Sequence, residues 1–174
     1  VFVVYDACLP SLGSACCAEL MSLIRQYASF EADGKIDSKT IDAAVQIAEA
    51  MFHAGIPRDG VLVAVGGGVV GDIAGFAASI FQRGIDLVHV PTTSTSMIDS
   101  AIGGKTGANL CGQVNLIGTY FQPRAVFMDI RFLETLEFRD LISGFAEALK
   151  MAFISDHEAL LDMGECAEEL LSLR

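Results

Sequence analysis

The stretch VLVAVGGGVVGD at residues 61–72 limits what this chain can fold into more than any other. Val61, Leu62, Val63, Ala64 and Val65 are apolar and mostly β-branched, which predicts a buried strand, and the strand runs straight into Gly66-Gly67-Gly68. Val70, Ile73, Ala74, Ala77, Ile80 and Phe81 then recur at steps of three and four, the pattern of a helix. Only glycine lets a backbone turn so sharply and present bare N–H groups, and a helix N-terminus beside them favours a diphosphate. Gly66, Gly68 and Gly71 satisfy the spacing G-x-G-x-x-G. Gly71, Gly75 and Ala78 give the helix a small face that can pack close to a neighbour. A dinucleotide fold of the usual kind ends its next strand in an acid for the ribose about 20 residues on. Here the strand at 86–90 ends in Pro91-Thr92-Thr93, so a ribose must be held differently. The alternative is a glycine turn that merely joins strand to helix.

At 174 residues, 52% of them apolar, the chain has room for one domain, or for one domain and a piece of another. It begins at Val1 in an apparent strand and stops at Arg174 in an apparent helix, which sets the expectation of a piece of a longer protein. Eleven basic against 22 acidic residues give a net charge of −11. That argues against nucleic acid as a general partner and leaves any anionic ligand to a few local cations. Five cysteines, odd in number and without a C-x-x-C pair, lie mainly in apolar sequence surroundings, which suits a reducing cytoplasm. No signal sequence is visible and no apolar run reaches the ~18 residues of a membrane span.

In chain order, residues 1–5 predict a strand leading to Asp6, and residues 12–30 carry a helical apolar pattern. A polar loop follows at 31–37. Ser38 is the expected N-cap of a helix through Ala54 with Ile41, Ala44, Val45, Ile47, Ala48 and Met51 inward. With strands at 86–90 and 125–130, the alternation implies a doubly wound, mainly parallel, Rossmann-like α/β sheet. Residues 92–118 depart from this rhythm: they read as a long functional loop in which Asp99, Lys105, Asn109 and Asn115 can converge. Gly104-Lys105-Thr106 is like the end of a P-loop, but no strand leads in and the residue five before Gly104 is Asp99, which excludes one. From Phe138 the sequence is helical throughout, placing a domain boundary at 132–138 and domains at 1–135 and 136–174. Glu147 and Lys150, three apart, share a helix face and on spacing alone read as an ordinary surface pair.

Taken together, GGGVVGDIAGFAA (66–78), FQRGIDLVHVPTT (81–93), IDSAIGGKTGAN (98–109), NLIGTYFQP (115–123) and GFAEALK (144–150) closely resemble 3-dehydroquinate synthase, a sugar-phosphate cyclase. The resemblance implies an N-terminal NAD-binding α/β domain, a C-terminal helical domain and an active site between them, usually in a homodimer. It implies conversion of the keto acid phosphate DAHP to 3-dehydroquinate and phosphate, with NAD used transiently and a divalent metal, zinc or cobalt, required. Glu147 is then a metal ligand and Lys150 lies beside the substrate, displacing the surface-pair reading. Asp99 orients the reacting hydroxyls, Lys105 and Asn115 contact substrate, and Arg83 reaches a neighbouring subunit's phosphate. For NAD the matched positions are Gly68, Val69, Val70, Gly71, Asp72, Thr92, Thr93, Lys105, Thr135, Lys39 in the early helix, and Asp6 on the adenine side.

Three departures accompany the match. Val114 stands where the family usually has a lysine, and Ile36, with Asp37 beside it, where it usually has a ribose-binding glutamate. Each lost charged contact is expected to cost about 1.5–3 kcal/mol of NAD binding. The family's two metal-binding histidines lie downstream of Arg174, and His53, His89 and His157 read as structural. A catalytic metal needs three protein ligands, so the chain alone is expected to lack synthase activity and a tight zinc site. The competing readings are a deoxy-inosose or valiolone synthase, a metal-dependent polyol dehydrogenase, and a non-catalytic nucleotide-binding module.

Overall fold

Short apolar runs alternate with amphipathic stretches, and in the computed structural model, which describes residues 1–9, 15, 18, 19, 22, 27–155 and 157–172, they form a parallel sheet with helices packed on it. The strands are β1 (Phe2–Asp6), β2 (Ala28–Ala32), β3 (Val61–Gly66), β4 (Asp86–Pro91), β5 (Lys105–Leu110), β6 (Gln113–Tyr120) and β7 (Ala125–Val126). Among the described residues, five of them run parallel in the order β2-β1-β3-β4-β7, and β5 and β6 pair antiparallel on their own. Phe2 stands opposite Leu62, and Val63 opposite Val88.

Side chains alternate across the sheet with period two. Phe2, Val4, Leu62 and Ala64 join one core with helices α1 (Ile41–His53) and α2 (Gly68–Ile80); Val3, Val63 and Val65 join another with Val90, Met97 and Phe132. Both faces are covered, which is why the run 61–65 is apolar without interruption. The small face of α2 packs as its sequence predicts. A Cβ on Gly71 would touch the His89 ring at 3.4 Å, one on Gly75 would meet Thr106 Cγ2 at 2.6 Å, and Ala78 is fully buried.

Several local expectations are corrected. Helical periodicity continues to residue 30, yet Ala28–Ala32 is a strand beside β1; most of the expected helix before it lies outside the described residues. The N-cap of α1 is Thr40, whose hydroxyl accepts from Ala43 N at 3.1 Å. Ser38 instead ends a 3-10 turn and donates to Asp33 Oδ2 at 2.9 Å. Val45 is 41% exposed because it falls beside the stripe formed by Ala44, Ile47 and Met51. The final sheet strand covers only Ala125–Val126, and Ile130–Thr135 is a 3-10 turn.

The expected loop at 92–118 is ordered structure: a π-helical turn, Ser96–Ser100, and the β5–β6 hairpin. Cys111 and Gly112 form its two-residue loop with φ of 52° and 73°, the left-handed pair of a type I′ turn. Gly107 faces Gly118 across the ladder. A Cβ on Gly118 would run into the Thr106 carbonyl oxygen and come within 2.7 Å of Gly107 Cα, backbone atoms that cannot rotate away. Gly118→Ala is therefore expected to disrupt the hairpin and lower stability by about 1–3 kcal/mol, the usual cost of overpacking, as a reduced urea midpoint.

Strands give way to helices at α3 (Phe138–Ser155) and α4 (His157–Ser172). Helix α3 is seated on residues following β4: Ser94 Oγ donates to Asp140 O at 2.8 Å, and a Cβ on Gly144 would lie 2.6 Å from the Ser94 carbonyl carbon.

Candidate functional site

The chain leaves β1 towards β2 and leaves β3 towards β4 on the other side, so the crevice at the carboxyl ends of β1 and β3 is the topological switch point, where open α/β sheets bind ligands. Asp6 ends β1 there; its Oδ1 accepts from Cys8 N at 2.9 Å, and Gly34 closes so tightly on the carboxyl that a Cβ would reach Asp6 Cγ at 2.6 Å. Across the crevice α2 begins at Gly68. Its N-cap, Gly67, offers no side chain, so no side-chain cap satisfies the first-turn N–H groups. Thr92 is buried and donates its N–H to Gly66 O at 3.0 Å. Thr93 Oγ1 accepts from Ser96 N at 3.2 Å, and its methyl would lie 3.0 Å from a Cβ on Gly67. The glycines thus serve close packing of the threonine segment as well as leaving bare backbone. Val70 is fully buried, so what it can offer a ligand is its backbone.

Beyond the first turn of α2, a cavity of about 390 Å³ is lined by Asp72, Asp99, Ser100, Lys105 and Asn115 together with hairpin residues. Of the four residues expected to converge, Asp99, Lys105 and Asn115 line the cavity, with Asp72 joining them, and Asn109 does not. Lys39 is not in the early helix: it lies between the 3-10 turn and the Thr40 cap, 4% exposed, and its ammonium donates to both Asp72 and Asn115. Asn109 holds this junction, its N–H donating to Lys39 O at 2.8 Å and its Oδ1 accepting from Asn115 N at 3.0 Å. Burial pushes the Asp72 carboxyl above the usual carboxylate range, opposed by the hydrogen bond and charge of Lys39 and the charge of Lys105.

Other expected site residues lie apart from this cavity. Lys150 donates to Glu147 on α3 with side chains 57% and 24% exposed, the surface pair that spacing predicts. Among the described residues no group of three His, Cys, Asp or Glu is placed to hold a metal, so Glu147 does not make a metal centre by itself. Arg83 is exposed beyond the C-terminal end of α2, a helix length of about 20 Å from the glycine turn, and does not line the cavity. Thr135 ends its 3-10 turn and donates to Phe132 O at 2.6 Å. Ile36 and Val114 turn outward, 54% and 65% exposed. His53 is exposed and His89 is buried, and neither belongs to a metal-holding group among the described residues. Cys8, Cys111 and Cys166 are free and exposed rather than sheltered among apolar neighbours. No described helix is long and apolar enough to cross a membrane. Sequence reasoning missed Ser100, whose only signal is its place next to Asp99.

A doubly wound α/β fold with a glycine-started helix at its switch point, and a charged cavity beside it, is the fold of the sugar-phosphate cyclases. The profile of the 3-dehydroquinate synthase N-terminal family matches residues 30–143, and the chain belongs to that family. It is 46% identical over 128 residues to the 3-dehydroquinate synthase of Alkaliphilus oremlandii, covering 74% of this chain and 35% of that one. A 2-epi-5-epi-valiolone synthase from Streptomyces hygroscopicus, solved with NAD⁺ and Zn²⁺ bound, superposes with a TM-score of 0.83 at 37% identity over 90% of this chain and 44% of that one. A 2-deoxy-scyllo-inosose synthase complexed with carbaglucose-6-phosphate, NAD⁺ and Co²⁺ gives 0.79 at 34% identity over 86% and 41%. The chain therefore spans between a third and a half of the length of these relatives.

Proposed function

We propose that this chain is the NAD-binding portion of a 3-dehydroquinate synthase, with residues 1–135 forming the nucleotide domain and 136–174 opening a helical domain that completes the active site. The observation that carries the reading is the meeting of Asp72, Asp99, Lys105 and Asn115 around one cavity a turn beyond the uncapped N-terminus of α2. NAD⁺, when bound, supplies the transient oxidation of a secondary alcohol of DAHP and its later reversal. The N–H groups of Gly68, Val69 and Val70 receive the diphosphate. Asp6, Thr92, Thr93 and Thr135 border the dinucleotide, and Lys39 fixes Asp72 and Asn115 so that neither must reorganise as substrate arrives. Lys105 offers a cation to the substrate's phosphate or to developing oxyanion charge. Asp99 accepts hydrogen bonds from the substrate hydroxyls. Lys150, exposed on α3 and bonded to Glu147, would leave that pair to reach the substrate once the helical domain is complete. Glu147 would supply one ligand to a divalent metal, zinc or cobalt; among the described residues no second and third ligand accompany it.

Arg83, exposed at the far end of α2, is assigned to a neighbouring subunit's phosphate in a homodimer. Cys8, Cys111 and Cys166, free and exposed among the described residues, suit a reducing cytoplasm. The likeness to inosose and valiolone synthases favours a second reading, in which the same cavity serves another phosphorylated sugar. Product analysis on the full-length protein separates the two.

Calorimetric titration with NAD⁺ tests the cofactor site. The chain is expected to bind, and Gly68→Val to weaken binding at least tenfold, because the new side chain projects towards Ser100 at the place where backbone must approach the diphosphate. Failure of the chain to bind, with its far-UV circular dichroism intact, would overturn the reading.

A further inference from the structure

Ser100 closes the π-helical turn that carries Asp99, and its hydroxyl oxygen has less than 1 Å² of accessible surface and no hydrogen-bond partner among the described residues. It is the described side-chain polar atom so placed that burial has cost it water without a replacement. The oxygen lies 3.2 Å from the position of a Cβ on Gly68, so it stands against the first residue of α2, and Ser100 also lines the cavity. The first turn of α2 has neither a side-chain cap nor an acid, leaving backbone donors there too without a side-chain acceptor. A hydroxyl without a partner beside amide donors without a side-chain partner points to an acceptor with several oxygens. Asp72 and Asp99 border the same cavity and oppose an anion, and Lys105 offsets them, so a neutral donor adds affinity without further charge.

We infer that Ser100 is a ligand-binding residue: on rotating about χ1, its hydroxyl donates to a phosphate oxygen of the dinucleotide seated at the first turn of α2. The inference rests on the NAD-binding reading and adds a contact that the glycine motif does not contain. Truncation to alanine removes the donor and relieves the orphaned oxygen, so binding and intrinsic stability move in opposite directions.

Ser100→Ala and the unsubstituted chain are titrated by calorimetry with NAD⁺ and with ADP, which keeps the diphosphate and lacks the nicotinamide, and both are melted without ligand. Ser100→Ala is expected to weaken NAD⁺ and ADP alike, by roughly tenfold, and to melt about 2–4 °C higher when ligand-free. Unchanged affinity for both ligands in the variant, whatever its melting temperature, overturns the inference while leaving the cofactor reading intact. A loss for NAD⁺ with none for ADP overturns the phosphate contact. No binding of either ligand by the unsubstituted chain overturns the cofactor reading, and this contact with it.

Discussion

Replacing Lys39 with methionine is expected to destabilise the chain by about 3 kcal/mol, a large share of the 5–15 kcal/mol that separates folded from unfolded domains. Among the described residues the ammonium is the cation bonded to Asp72, and it also donates to Asn115; the side chains of Lys39 and Asp72 are 5% and 18% exposed. Removing one partner of a buried pair leaves the other charge without compensation, which typically costs about 3–5 kcal/mol. The residual exposure of Asp72 places this case at the low end. Burial already lifts the Asp72 carboxyl, and without Lys39 it would be lifted further. Replacing both residues, Lys39→Met with Asp72→Leu, removes the stranded charge and is expected to recover much of the loss. Urea unfolding of the two single variants and the double gives the coupling directly. A coupling of at least ~1.5 kcal/mol fits a locked pair; strict additivity would show that the two charges act independently.

The same pair shows where sequence reasoning stops. The strand, turn and helix around Gly66 to Gly71 are legible because a buried parallel strand needs an unbroken apolar run and the turn needs glycine. Both demands are local. Lys39, Asp72 and Asn115 are each recognisable by resemblance, but their meeting depends on the pairing of β5 with β6 and on the hydrogen bond from Asn109 to Lys39. Those contacts span up to 76 residues. The hairpin itself was hidden because its turn is Cys111-Gly112, without the asparagine or aspartate that signals a left-handed pair, and because Gly107 and Gly118 dilute the alternation. Helical periodicity at residues 28–30 yielded to pairing with β1, since five residues can satisfy either period and tertiary hydrogen bonds decide. Ser100 carries no motif of its own; its orphaned hydroxyl is visible only once Gly68 is placed against it.

Acid should weaken the fold through His89 in particular. Its ring is buried on β4 beneath the first turns of α2, where a Cβ on Gly71 would lie 3.4 Å from Cε1, and burial lowers its pKa from 6.5 to about 4. The nearby helix N-terminus acts in the same direction by disfavouring an imidazolium. Well above pH 6.5 the ring is neutral whether the chain is folded or not, and it contributes no pH dependence. As pH falls from 6.5 towards 4 the unfolded chain takes up a proton that the folded chain refuses, so stability declines, by about 3 kcal/mol in total, and below about pH 4 this contribution levels off. Asp33 and Asp129, whose carboxyls are held low by hydrogen bonds from Ser38 and Arg131, add their own acid lability, and Asp72, held high, opposes it. All three are unchanged in His89→Gln, so the difference between the two stability–pH curves isolates the imidazole. Unfolding free energies from urea titrations at half-unit steps between pH 4 and 7.5 should show the gap changing by most of that amount between pH 6.5 and 4. Parallel curves would mean that the buried ring accepts a proton within the fold, which would require a partner for it at the base of the nucleotide turn.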